Sequence, residues 1–156
     1  MRALLLAVAV TLIVAAPASA RQNQDIVETA TAAGQFTTLT KLLKKAGLVS
    51  ALQQPGPYTV FAPTDKAFAK VPKRKLKALA RDKTKLKSVL LYHVVAKKLP
   101  AAKVVERRRA KTLNGQRVRF RVRRGDVFVN RAKVTTADVM ASNGVIHVIN
   151  RVLLPR

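Results

Sequence analysis

The sequence holds no cysteine and no tryptophan, only 7 acidic side chains and only 2 histidines. Without cysteine there is no disulfide framework, no thiolate zinc site, no thiol nucleophile and no lipid-modified N-terminal cysteine. So few acids and imidazoles leave little material for an active site. No carboxylate pair stands out for glycosidase chemistry, no Gly-rich phosphate loop occurs, and none of Ser50, Ser88 and Ser142 lies in a G-x-S-x-G setting. Two histidines cannot close a zinc site alone. These absences point away from an enzyme and from any cofactor or metal. What is abundant is positive charge: 31 Lys+Arg give a formal +24 over 156 residues, while a 49% apolar content is that of a globular chain. Charge this one-sided says little about fold, but it predicts attraction to polyanions.

Residues 1–20 read as an export leader. Arg2 precedes an apolar stretch from Ala3 to Ala16 broken only by Thr11; Pro17 and then Ala18-Ser19-Ala20 supply the break and the small-x-small cleavage pattern. Fourteen helical residues would span roughly 21 Å, short of the roughly 30 Å hydrocarbon core, which favours a cleaved signal peptide over an anchor. No twin-Arg pair is present, so the general secretory route is expected. A polar lead-in over 21–24 and one domain over 25–156 follow, with no linker between them. The expected product is secreted, extracellular or periplasmic, and not transmembrane once cleaved.

The first half of the domain reads mainly as helix. Phe36, Leu39, Leu42, Leu43 and Ala46 recur at helical spacing with Lys41, Lys44 and Lys45 outside, and Gly47 stops the helix. Pro55-Gly56-Pro57 marks a turn before a buried strand, Tyr58 to Phe61. Thr64 and Asp82 are N-cap candidates; the helices near them carry Leu76, Leu79 and Ala80, then Leu86, Val89 and Leu90. The second half reads as strands. From Arg117 to Arg123 the alternation is strict, putting Arg117, Arg119, Arg121 and Arg123 on one side and Val118, Phe120 and Val122 in the core. Arg124-Gly125-Asp126 turns the chain into a hairpin partner, Val127 to Val129, and further strands are expected over 133–139 and 145–154. Helices early and strands late predict an α+β fold.

Three segments, in order, resemble the signatures of fasciclin (FAS1) domains: YTVFAPTDKAF (Tyr58 to Phe68), YHVV (Tyr92 to Val95) and ASNGVIHVINRVLLP (Ala141 to Pro155). The resemblance implies a β-sheet wedge with helices packed around it. It also implies a non-catalytic cell-adhesion or extracellular-matrix module. On this reading Thr59, Phe61, Ala62, Pro63, Thr64, Asp65, Phe68, Tyr92, His93, Asn143, Gly144 and His147 are structural motif residues, with the Tyr-His pair bonded to first-signature groups such as Thr64 or Asp65. The chain departs from the family where Ala96-Lys97 replaces a usual Pro-Gly and where Arg131 stands in place of a usual Gly.

The basic residues cluster. Arg107, Arg108, Arg109, Lys111, Arg117, Arg119, Arg121, Arg123 and Arg124 run without an intervening acid, and a second cluster spans Lys66 to Lys87. Ordinary solvated surfaces mix both signs. Alternate residues of a strand stand about 6.6–6.8 Å apart on one face, and guanidinium forks suit phosphate and sulfate. The bland alternative is a repulsive surface that serves only solubility. The expected partners are anionic glycans, envelope polymers or lipid headgroups, with cell-adhesion molecules also in view. Nucleic acid would be bound without sequence preference; every aromatic residue, Phe128 included, is assigned to the core, which leaves no base-stacking platform. A small-ligand carrier built around His93 is a third reading. Arg124-Gly125-Asp126 also spells an integrin-recognised tripeptide, although a tight turn alone accounts for Gly-Asp there.

Overall fold

The computed structural model describes residues 24–155. The leader assigned to 1–20, and all but Gln24 of the lead-in, lie outside those residues. Seven strands form one sheet: β1 (Tyr58–Pro63), β2 (Val94–Val95), β3 (Arg109–Lys111), β4 (Arg117–Arg123), β5 (Asp126–Val129), β6 (Ala132–Ala141) and β7 (Gly144–Ile149). Their order is β2-β1-β7-β6-β5-β4-β3, antiparallel throughout except for the parallel β1–β7 pair. The sheet curls until its edges meet: Leu113, just beyond β3, donates its N–H to the Val94 carbonyl of β2 (2.8 Å). The helices are α1 (Ile26–Ala33), α2 (Thr37–Ala46), α3 (Val49–Leu52), α4 (Asp65–Ala69), α5 (Lys73–Arg81), α6 (Lys83–Leu91) and α7 (Ala101–Glu106).

Local chemistry sets several helix ends. Asp25 and Glu28 form a capping box on α1, Thr64 accepts from Ala67 N at the start of α4, and Asp82 accepts from Lys85 N at the start of α6. Gly47 closes α2 in the left-handed conformation (φ 70°), which costs a glycine little.

The central strands β1 and β7 are covered on both sides, so their sequences are nearly continuous apolar runs. Val60, Ala62, Ile146 and Val148 face the helices and pack with Ile26, Leu39, Leu43, Leu86 and Leu90. Phe61 and Ile149 face the inside of the curl, with Tyr92, Val118, Phe120, Val129 and Leu153. Each fully buried side chain of this size contributes about 1.5–3 kcal/mol.

Asn143, in the β6–β7 turn, ties α1, α3 and the loop after α3 to this frame. Its Oδ1 accepts from Ile26 N (3.0 Å), and its Nδ2 donates to the carbonyls of Leu52 (2.6 Å) and Gln54 (3.0 Å). Gly144 follows because a Cβ there would stand 2.0 Å from the Tyr58 carbonyl oxygen.

Three sequence expectations are corrected. The strand expected over 145–154 ends at Ile149: Asn150 turns its side chain to Lys133 N (2.9 Å), and Leu153 N donates to His93 Nε2 (2.9 Å) instead of a ladder partner. Val122 is 52% exposed, because the β4–β5 hairpin runs on past the end of the inner core. Phe128 is not a core residue: the register sets it directly opposite Arg121, on the outer face.

Candidate functional site

Strand β4 is a two-sided ribbon. Val118 and Phe120 are 0% and 6% exposed, while Arg117, Arg119, Arg121 and Arg123 all stand in solvent. The neighbouring strands extend the outer side in register. Arg109 lies opposite Arg119 and Lys111 opposite Arg117. Across the other edge of β4, Phe128 lies opposite Arg121 and Asp126 opposite Arg123; one strand further, Lys133 lies opposite Phe128. Directly paired residues of antiparallel strands share a face. The result is a grid of cations about 4.8 Å apart across strands and about 6.8 Å apart along them.

One acid, Asp126, lies within this grid, and it pairs with Lys133 rather than with a β4 arginine. Among the described residues the ion pairs are Lys85–Asp82 (3.8 Å) and Lys133–Asp126 (3.3 Å), and neither uses an arginine of β4. Like charges directly opposite each other destabilise a sheet, by roughly the 0.2–1 kcal/mol scale of cross-strand pairs. The Arg109–Arg119 and Lys111–Arg117 pairs therefore oppose folding, and no ion pair among the described residues offsets them.

Six of the nine basic residues singled out in the sequence share the face: Arg109, Lys111, Arg117, Arg119, Arg121 and Arg123. Arg107 and Arg108 are exposed on the approach to β3 at the sheet edge. Arg124 sits in the two-residue hairpin turn with φ 52°, followed by Gly125 at φ 81°. Two consecutive positive φ values are what a type I′ hairpin turn needs. Asp126 already belongs to β5 and spends its carboxylate on Lys133. At the next turn, where Arg131 replaces the family's glycine, the left-handed residue is Asn130 (φ 55°). The second cluster, Lys66 to Lys87, is spread over α4, α5 and α6, with every basic side chain exposed.

The motif residues lie elsewhere, inside. Thr59 Oγ1 donates to the Lys97 carbonyl and accepts from Leu99 N (2.8 Å), pinning the segment after β2 across the sheet. Phe61 packs against Phe120 (ring centroids 5.8 Å) and stacks on His147 (5.6 Å). Ala62, Pro63 and Phe68 are buried. Asp65 Oδ1 accepts from Thr38 N (2.7 Å). Desolvation pushes the Asp65 carboxyl up, but hydrogen bonds from Thr38 and Thr37 outweigh it and hold the group below its ordinary value.

The Tyr-His pair does not bond to Thr64 or Asp65. Tyr92 Oη accepts from Asn130 Nδ2 (3.0 Å) and donates to the Arg117 carbonyl (3.4 Å). His93 Nδ1 donates to the Val89 carbonyl (2.7 Å) and Nε2 accepts from Leu153 N. His147 Nε2 donates to the Leu99 carbonyl (2.7 Å), and Nδ1 accepts from Asp138 N (3.3 Å). Both rings are fixed as neutral tautomers. Burial lowers the His93 pKa to about 4 and lowers that of His147 as well, against the opposing pull of their carbonyl partners. Between Leu76, Leu86 and His93 the interior leaves a cavity of about 10 Å³. That is room for one water, not for a carried ligand. Among the described residues no group of three or more His, Asp or Glu could hold a metal ion.

Sequence reading missed α1, α3, α7, β3 and the place of Phe128. The last was within reach. A two-residue turn at Arg124-Gly125 fixes Arg123 opposite Asp126, and counting back then sets Phe128 opposite Arg121.

The fasciclin domain family matches residues 34–155. The chain belongs to this family. Protein sll1483 of Synechocystis sp. is 46% identical over 144 residues, covering 91% of this chain and 79% of that one. Human periostin is 34% identical over 127 residues, where this chain corresponds to 15% of the longer protein. In structure, a FAS1 domain pair from the insect cell adhesion molecule Fasciclin I superposes with a TM-score of 0.68 at 20% identity, over 85% of this chain and 51% of that one. That likeness establishes the shared fold. Among the described residues no helix is long and apolar enough to cross a membrane.

Proposed function

We propose that this fasciclin domain is a secreted, non-catalytic attachment module that docks on anionic polymers of a cell surface or matrix through the outer face of β3, β4 and β5. The leader over residues 1–20 would deliver it outside the cytoplasm. One observation carries the reading: arginines and lysines of two adjacent strands stand opposite one another, and among the described residues no ion pair uses a β4 arginine. A surface that only needed solubility would gain nothing from placing like charges in register. A polymer with repeated anionic groups turns that repulsion into binding, releasing counterions as it does so.

The test is retention on immobilised heparin and on washed cell envelopes across a salt series. The domain with Arg117, Arg119, Arg121 and Arg123 all changed to Gln is run beside the parent. The parent is expected to elute at high salt, and the variant to lose affinity by at least about 100-fold at moderate salt. Equal retention of the two would remove β4 as the contact surface.

A further inference from the structure

The cationic face is not purely ionic, because Phe128 lies on it. Its neighbours Val127 and Val129 pack into the inner core, and strand alternation turns Phe128 the other way. It joins neither core cluster, is half-buried, and makes no ring contact or cation–π pair among the described residues. Arg121 stands directly across on one side and Lys133 on the other, with Lys133 steadied by Asp126. An apolar ring is thus held one strand spacing from a cation on each side, beside a row of guanidinium groups along β4.

We infer that this face takes single-stranded nucleic acid, with one base stacked on Phe128 and the phosphates following the arginines of β4. The inference rests on the proposed reading of the face as a polyanion contact and names the class of polymer. A bare polyphosphate has nothing flat to set on the ring. A bilayer would need a contiguous apolar patch, and a lone phenylalanine ringed by charge is not one. An acidic glycan offers a puckered, hydroxylated ring, whereas every nucleobase offers a planar π-face at least as large as a phenyl group. Duplex DNA hides those faces in its stack, so the single strand is the form that fits. The step along β4 is also comparable with the phosphate-to-phosphate step of an extended phosphodiester chain. Binding of this kind is independent of sequence, as a stacking site of this sort accepts any base.

The experiment measures fluorescence anisotropy with a short oligo(dT), a base-free deoxyribose-phosphate oligomer of equal length, and a heparin oligosaccharide of matched charge. The proteins are the parent, Phe128→Ala, Phe128→Trp, and the paired change Arg119→Gln with Arg121→Gln. The parent is expected to bind oligo(dT) about tenfold more tightly than the base-free oligomer. Phe128→Ala should bring oligo(dT) down to that level, with the base-free oligomer, heparin and the thermal midpoint unmoved. Phe128→Trp should restore the preference, and the paired arginine change should weaken all three polymers. Equal binding of oligo(dT) and the base-free oligomer by the parent, or oligo(dT) binding unchanged in Phe128→Ala, overturns the stacking claim and leaves the polyanion reading standing. Loss of heparin but not of oligo(dT) in Phe128→Ala overturns it in favour of a glycan. Failure of the parent to bind any of the three would sink the polyanion reading itself.

Discussion

The buried interior of the domain and the outer face of β3, β4 and β5 treat polar groups in opposite ways. On the inner side Thr59, Tyr92, His93 and His147 each have named hydrogen-bond partners, and the two imidazoles are held neutral. On the outer side the β4 arginines have no ion-pair partner among the described residues, and two cross-strand pairs set like charges together. A buried polar group left unpaired costs on the order of 1–3 kcal/mol, so the inner side has little freedom. An exposed cation is solvated and has wide freedom, so its lining up in register is a feature the fold does not demand. The family motif therefore maintains the frame, and the individual character of this chain lies on the outside.

That contrast can be broken from the inside first. Because the folded pKa of His93 lies near 4 and its ordinary value is 6.5, the unfolded chain binds the proton more readily between those values. Its contribution to stability is fully present above pH 6.5 and is lost as the pH falls toward 4, with His147 acting in the same direction. The expected loss is about 3 kcal/mol from His93 alone, read as a lower urea midpoint at pH 4 than at pH 8. A midpoint unchanged across that range would mean that the inner histidines are not held neutral. The outer face should respond in the other sense and more weakly. Arg119→Gln removes one like-charge pair with Arg109 and should raise stability by about 0.5 kcal/mol at low salt, with the gain shrinking as salt is added. A destabilised variant would show that Arg119 has a structural duty.

Much of this was written in the sequence as local chemistry. Thr64, Asp82 and Gly47 announced helix ends through side-chain capping and backbone freedom, and the strict alternation of Arg117 to Arg123 announced a strand with one wet face. What local chemistry does not carry is where a neighbouring element stops. Val122 has the right parity for the core, but the core ends before it. One hydrogen-bond partner of each histidine is a distant backbone group, Leu153 for His93 and Leu99 for His147, 60 and 48 residues away, and no spacing rule points to them. Strand β3 is three residues long, and α7 buries a single residue, Val104; neither is long enough to show a period. Phe128, an aromatic side chain expected inside, is set outside by the hairpin register.

The central claim is that the location of charge, not its total, makes the contact surface, and the helical cluster supplies the control. The sheet variant, Arg117, Arg119, Arg121 and Arg123 to Gln, and a helix variant, Lys73, Lys75, Lys77 and Arg81 to Gln, remove equal charge from two surfaces of one molecule. The measurement is the slope of log affinity against log salt for one soluble polyanion. The sheet variant should reduce the magnitude of that slope by roughly 3, as expected for four lost contacts, and the helix variant by less than about 1. Equal reductions in the two variants would contradict the account and leave only a uniformly cationic domain.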